Sequence, residues 1–242
     1  MKIIEDLLST VDFEAPVIDI RQGPFQTAVL TRHCGLASTP QHQGHHHSKA
    51  PVKEAGFLMD NDARTLACMA NSPSFHEAAI GMATINSLID IDEQRCVELN
   101  AGDLIAEKGR GRSVAIVGHF PFVPKLRGAV RNLWVIEKNP REGDFLEADA
   151  ETLIPQADVV GITGTAFTNH TIEHLLHLCN PGAYVVILGG TVPMSPVLFD
   201  YGIDAISGTK VIDNEMALRC VSQGATFRQI KGIRLLTMRK DG

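Results

Sequence analysis

The chain has 242 residues, 44% of them hydrophobic and 21% charged, and a formal net charge of −6. That suffices for one large domain or two modest ones whose core needs no disulfide staples. It leaves no basic footprint for nucleic acid, and no apolar run approaches a membrane span, so neither partner is expected.

The opening MKIIEDLLST places Glu5 and Asp6 where a secretory signal needs an apolar core, and a cytoplasmic location is the expectation. Next, VIDIRQGPFQTAVLT holds two β-like runs about a Gly23-Pro24 turn, which predicts an antiparallel hairpin. The stretch QHQGHHHS follows, with His42, His45, His46 and His47. Alternate residues of an extended chain share a side, so His45 and His47 can meet, and His42 and His46 can meet across a helical turn. Imidazole suits nickel, zinc or copper, which makes these residues candidate metal ligands. Gln, Gly, Ser, Lys and Pro around them, without a cysteine or carboxylate, describe a polar, solvated loop, and that is the competing reading.

Ser74-Phe75-His76-Glu77 has the capping-box pattern S-x-x-E and predicts a helix start. Phe75, Ala78, Ala79, Met82 and Ile89 then form an apolar stripe at helical spacing, on which Asn86 sits. A buried amide needs partners, so Asn86 satisfies backbone groups inside the fold or faces a polar cleft. The polar, glycine-bearing segment 100–113 is read as the crossing into a second part.

From about Gly111 the pattern changes. SVAIVG, NLWVIE, ADVVGIT, AYVVILGG and IRLLTM read as strands buried on both faces of a parallel sheet. Helical patterns lie between them: Ile172, Leu175, Leu176 and Cys179 at helical spacing, stopped by Asn180 to Gly182, and a helix from an Asp213 cap to Gly224. The expected fold class is α/β: a small α+β domain over residues 1–105, then a doubly wound domain over 106–242. Cys34, Cys68, Cys96, Cys179 and Cys220 form no CxxC pair, and most of them read as small buried hydrophobes.

Ligands of open parallel sheets collect beyond the carboxyl ends of the strands, so the residues leaving each strand are the candidates. GHFPFV offers Gly118, His119 and Phe120; Gly118 lets backbone approach a ligand and His119 can work as acid, base or ligand near neutral pH. Glu137 ends NLWVIE, where an acid commonly accepts hydrogen bonds from ribose hydroxyls. TGTAFTNHT offers Thr163, Thr165 and Asn169, the last as expected N-cap of the next helix. GGTVPMSP offers Gly190 and Thr191 in a rigid loop. No nucleophile elbow, Walker loop, HExxH or GxGxxG is present.

Taken together, GHFPFV, VIEKNP, ADVVGITGTAFTNHTIEHLL and LGGTVPMSPVLFDYGIDAISGTKV, with FHEAAIGMATIN ahead of them, resemble the putative heavy-metal chelation family. The resemblance covers most of the chain. It implies a domain like the N-terminal domain of enolase, followed by a Rossmann-like domain with partial similarity to methyltransferases, and a site in the cleft between them. Carried over by motif, that site comprises His119, Phe120, Glu137, Thr163, Thr165, Asn169 and Thr191, with Asn86 and Glu77 from the small domain. His119 and Glu77 are its catalytic candidates. The resemblance also implies a role in metal chelation, or in making or processing a pterin-like or siderophore-like chelator.

The sequence therefore leads to a small-molecule-binding protein or enzyme acting on a polar, heteroaromatic or nucleoside-like ligand. Two other readings stand beside it. One is a non-enzymatic protein that sequesters a transition metal or metal chelate through residues 42–47. The other is an S-adenosylmethionine-dependent methyltransferase, which fits Glu137 but lacks the usual glycine-rich first loop. A homodimer is the default expectation for an oligomer.

Overall fold

The structure is a computed structural model that describes residues 1–40 and 50–240. Helix α1 (Lys2–Thr10) leads into an antiparallel meander of β1 (Asp19–Gln22), β2 (Gln26–Leu30) and β3 (Cys34–Ser38). The expected hairpin is present, with Asp19 opposite Leu30 and Gln22 opposite Thr27, and the Gly23 N–H closes the turn on the Gln26 carbonyl at 2.8 Å. Helices α2 (Ala63–Cys68) and α3 (Phe75–Leu88) follow, and α3 lies across β2 and β3. Gly35 makes that contact possible, since a Cβ there would stand 2.1 Å from the Ala83 carbonyl oxygen.

The remaining strands form one sheet: β4 (Cys96–Val97), β5 (Ser113–Val117), β6 (Asn132–Glu137), β7 (Phe145–Leu146), β8 (Val159–Thr163), β9 (Tyr184–Leu188), β10 (Ala205–Val211) and β11 (Ile233–Arg239). The helices between them are α4 (Ala101–Lys108), α5 (Val123–Leu126), α6 (Ala150–Leu153), α7 (Thr165–Thr168), α8 (Ile172–Leu178) and α9 (Asn214–Ser222). The strand order is β4-β11-β10-β9-β8-β5-β6-β7, parallel from β10 to β7. Counted from β5 this is 3-2-1-4-5-6, the order of a doubly wound sheet, and it reverses between β5 and β8. The runs SVAIV, VVGIT and YVVIL are buried on both faces because helices cover both.

The sheet differs from the sequence reading in two places. IRLLTM does not join the parallel set: β11 runs antiparallel to β10, with Ala205 opposite Arg239 and Val211 opposite Ile233. The reason is α9, which leaves the sheet to pack on β1 and β2 and returns the chain to the end it left. The second concerns AISGTKV, which forms β10 although Gly208, Thr209 and Lys210 interrupt its apolar run.

The small meander is buried on both sides, with Val29 and Ala37 in the main core and Ala28 and Leu36 in a cluster with Ala217, Leu218 and Val221 of α9. Burial of Cys34 in that cluster pushes its thiol up to about 12. Among the described residues no helix is long and apolar enough to cross a membrane.

Candidate functional site

A cleft of ≈ 830 Å³ opens between the small meander and the carboxyl ends of β5, β6 and β8. That volume is in the range of small-molecule sites. It lies at the reversal of strand order, where neighbouring loops diverge and leave a crevice.

The exit of β5 supplies its most chemical wall. Gly118 takes a φ of 105°, and a Cβ there would meet the Thr163 Cβ at 3.0 Å, so glycine lets the β5 and β8 exits lie together. Phe120 stacks on Phe122 with centroids 5.3 Å apart, and Phe122 packs over Gly102 of α4, which anchors the loop. His119, between Gly118 and Phe120 in the chain, is turned so that its Nδ1 lies 3.1 Å from Oδ2 of Asp144. The Asp144 side chain is 1% exposed, that of His119 22%. The same Oδ2 accepts the Arg141 N–H at 3.1 Å, while Oδ1 of Asp144 is buried without a partner. Among the described residues, no hydrogen bond occupies His119 Nε2.

Glu137 stands at the end of β6. Its carboxylate accepts the Lys138 N–H at 3.2 Å and makes no ion pair among the described residues, because Lys138 Nζ goes to Glu147 instead at 3.4 Å. At the β8 exit, Thr163 and Thr165 bond through their hydroxyls at 3.1 Å. Asn169 is not the cap expected of it. The loop holds the short helix α7, which Asn169 terminates, and its Oδ1 accepts the N–H and hydroxyl of Thr171, the residue that caps α8. His170 beside it has a φ of 61° and bonds through Nε2 to the Ala70 carbonyl, tying this loop to the small unit.

The meander and α3 close the other side with Phe25, Gln26, Ser38, Thr39, Pro40 and Phe75. Gln26 is 4% exposed; its Nε2 donates to the Phe25 carbonyl at 2.7 Å, and its Oε1 has no partner.

Gly118, His119, Phe120, Glu137, Thr163, Thr165 and Asn169 thus share one cleft, whereas Glu77, Asn86, Gly190 and Thr191 do not line it. Asn86 Nδ2 donates to the carbonyls of Leu36 and Thr191, at 2.8 and 3.1 Å. Thr191, 1% exposed, accepts the Ser38 N–H on Oγ1 at 2.9 Å. These contacts join β3 and α3 to the loop after β9. Gly190 lies under Phe227, whose ring a Cβ would meet at 2.6 Å. Ser74 caps α3 as expected, but Glu77 does not complete the box: its carboxylate accepts the Lys53 N–H at 3.0 Å and the Ser72 hydroxyl.

Sequence reasoning missed Asp144, Gln26 and the ring of Phe227. Asp144 sits in the REGDF turn, where a charged residue beside glycine looks like any surface turn. The one signal was its place in the β6 exit, seven residues past Glu137.

Candidate metal ligands His42, His45, His46 and His47 lie outside the described residues. Among the described residues no three of His, Cys, Asp and Glu converge on a point that could hold an ion.

Comparison with known proteins agrees on one family. Residues 100–240 match DUF364 and residues 4–89 match DUF4213, both described as "Putative heavy-metal chelation". An uncharacterised protein of Methanocaldococcus jannaschii is 28% identical over 173 residues, 68% of this chain and 66% of that one. A DUF364 protein of unknown function from Desulfitobacterium hafniense superposes with a TM-score of 0.87 at 23% identity, covering 99% of this chain and 98% of that one. Another, from Pyrococcus horikoshii, gives 0.83 at 19% identity, over 98% of each chain. At these identities the structural likeness is one of fold.

Proposed function

We propose that this chain, which belongs to the family described as "Putative heavy-metal chelation", binds a flat, polar nitrogen heterocycle in its cleft, with His119 as the acid/base group. The observation that carries the reading is the state of His119: one ring nitrogen is held by a buried carboxylate and the other has no partner among the described residues. Phe25, Phe75, Phe120 and Phe227 give the cleft apolar surface for a ring, while Gln26, Thr163, Thr165 and Asn169 give it hydrogen-bonding edges. Its described lining holds no arginine, and Lys138 is already paired, so a polyphosphate would find no free cation.

The description covers nucleoside-like and pterin-like molecules, and those siderophore-like ones that carry such a ring. A bare heavy-metal ion does not fit the described residues, which bring no three ligating side chains together. We therefore read any metal in this cleft as cargo that arrives within an organic chelate. The division near residue 105 into an enolase N-terminal-like and a Rossmann-like unit belongs to the same proposal. The 3-2-1-4-5-6 order supports its second half, although β4, ahead of the boundary, already pairs with β11.

Glu137 favours a second reading, a ligand with ribose such as S-adenosylmethionine, since its carboxylate, with no ion pair among the described residues, ends the second strand of the doubly wound order. One experiment serves both. The protein, purified without nickel resin, is weighed in native and denatured form, with elemental analysis of the same sample. A mass of organic size lost on denaturation supports the cleft reading, and its value separates a nucleoside from other rings. Stoichiometric metal without that mass would replace it with the metal-sequestering protein.

A further inference from the structure

We infer that Asp144 is the positioning residue of this site, holding His119 in the tautomer with the proton on Nδ1 so that Nε2 works as a proton acceptor. The inference deepens the cleft reading and assigns His119 its direction.

The argument begins with the acceptor. Asp144 Oδ2 accepts the Arg141 backbone N–H at 3.1 Å, and a backbone N–H can only donate. That bond uses Oδ2 as an acceptor on one side, and the His119 ring meets it on the other, also at 3.1 Å. A carboxylate carries no hydrogen to give, and the Arg141 bond is one that only an accepting oxygen makes, so the hydrogen of this second contact belongs to His119 Nδ1. A neutral imidazole carries one N–H, so Nε2 keeps its lone pair. A free neutral histidine side chain favours the proton on Nε2; here a carboxylate whose side chain is 1% exposed draws it to Nδ1.

Geometry holds the carboxylate in turn. Asp144 closes a turn on Arg141, its own N–H donating to that residue's carbonyl at 2.9 Å. Its Oδ1 is buried without a partner, so the Arg141 N–H and the ring, both on Oδ2, are the hydrogen bonds this carboxylate makes among the described residues. An imidazolium formed at His119 would have that carboxylate beside it.

The step this allows is simple. A ligand X–H bond breaks, its electron pair stays on X, and the proton bonds to Nε2; the imidazolium then lies between X⁻ and Asp144 and returns its proton to water. The ligand such a site serves carries a removable N–H or O–H. A donor atom that is to hold a metal has to lose its proton first.

Long-range ¹H–¹⁵N NMR of the whole chain labelled in histidine tests this without any ligand, with the His119 signals assigned by their loss in His119→Gln. At a pH where the ring is neutral, wild type should show a protonated Nδ1 and a bare Nε2. Asp144→Ala should shift the ring to the protonated-Nε2 pattern of a free side chain. Asp144→Asn, whose amide oxygen can accept both N–H groups, should keep the wild-type pattern. A proton on Nε2 in wild type overturns the inference, and that spectrum decides even if Asp144→Ala does not fold. An unchanged tautomer in folded Asp144→Ala overturns the role of Asp144. Absence of a bound organic molecule would instead remove the cleft reading and leave the tautomer result standing.

Discussion

Two strand exits look alike in sequence and do opposite work. The exit of β5 carries a glycine, a histidine and an aromatic ring; the exit of β9 carries two glycines and a threonine. The first opens: His119 lines the cleft with Nε2 free of partners among the described residues. The second is shut: Thr191 is consumed by Ser38 and Asn86, which bind the loop to the meander. A polar residue beyond a strand is thus available to a ligand only where no second layer covers it. The β9 exit is bonded to β3 and α3, whereas the β5 exit faces them across the cleft.

If the β9 exit is a joint, loosening it should cost stability and spare the cleft. Asn86→Leu removes the donors to Leu36 and Thr191 and leaves two carbonyls short of a partner. It also removes the unpaired Oδ1, which offsets part of the loss. A drop of about 1–3 kcal/mol in urea unfolding is expected, with ligand capture per folded molecule unchanged. An unmoved urea midpoint together with lost capture would turn the comparison around.

His119→Ala is the converse. The ring is partly exposed and Asp144 keeps the Arg141 N–H, so unfolding should shift by less than about 1 kcal/mol. The co-purified molecule should fall by about tenfold or more, equivalent to about 1.4 kcal/mol of binding. Retention of the full native mass excess would take His119 out of the site.

Gly190→Ala probes the contact between the β9 exit and the wall of the cleft. Its Cβ would press the Phe227 ring, which lines the cleft, from the joint side. Overpacking there should cost about 1 kcal/mol and weaken capture by a few-fold. A loss of stability with capture intact would mean that the exits are insulated from each other.

The fold was legible where burial is written as an unbroken apolar run. SVAIV, VVGIT and YVVIL needed no tertiary information, nor did the Gly23-Pro24 hairpin or the Ser74 cap. Strand direction was not legible: IRLLTM has the composition of a parallel core strand, and only the path of α9 over the meander makes it antiparallel. Within the site, His119, Glu137 and Thr163 could be found because strand exits of this architecture point one way. Asn86 and Thr191 could not be sorted from them, since a side chain's partners lie on segments distant in sequence: Leu36 for one and Ser38 for the other. Asp144 was hidden for the same reason, as its importance comes from His119, 25 residues away.

The smallest effect concerns acid. Neutral amides and hydroxyls make the joint at Asn86 and Thr191, so falling pH should reach it only through its surroundings. Asp90, just beyond α3, is the carboxylate to watch. Its hydrogen bond from His33 at 2.7 Å holds its pKa below the ordinary 3.8, against desolvation and with help from the charge of Arg32. His33 in turn donates its backbone N–H to the Ser87 carbonyl, next to Asn86. A carboxyl with a lower pKa folded than unfolded stabilises the fold above the unfolded value and loses that contribution as pH falls through the folded one. The Asp90 side chain is 72% exposed, which limits its part to roughly 0.2–1 kcal/mol. Asp90→Asn should therefore unfold slightly more easily than wild type at neutral pH, and the gap should close as pH drops below 3.8. A gap that persists through that range would mean the end of α3 is held by packing alone, and the joint would then owe nothing to charge.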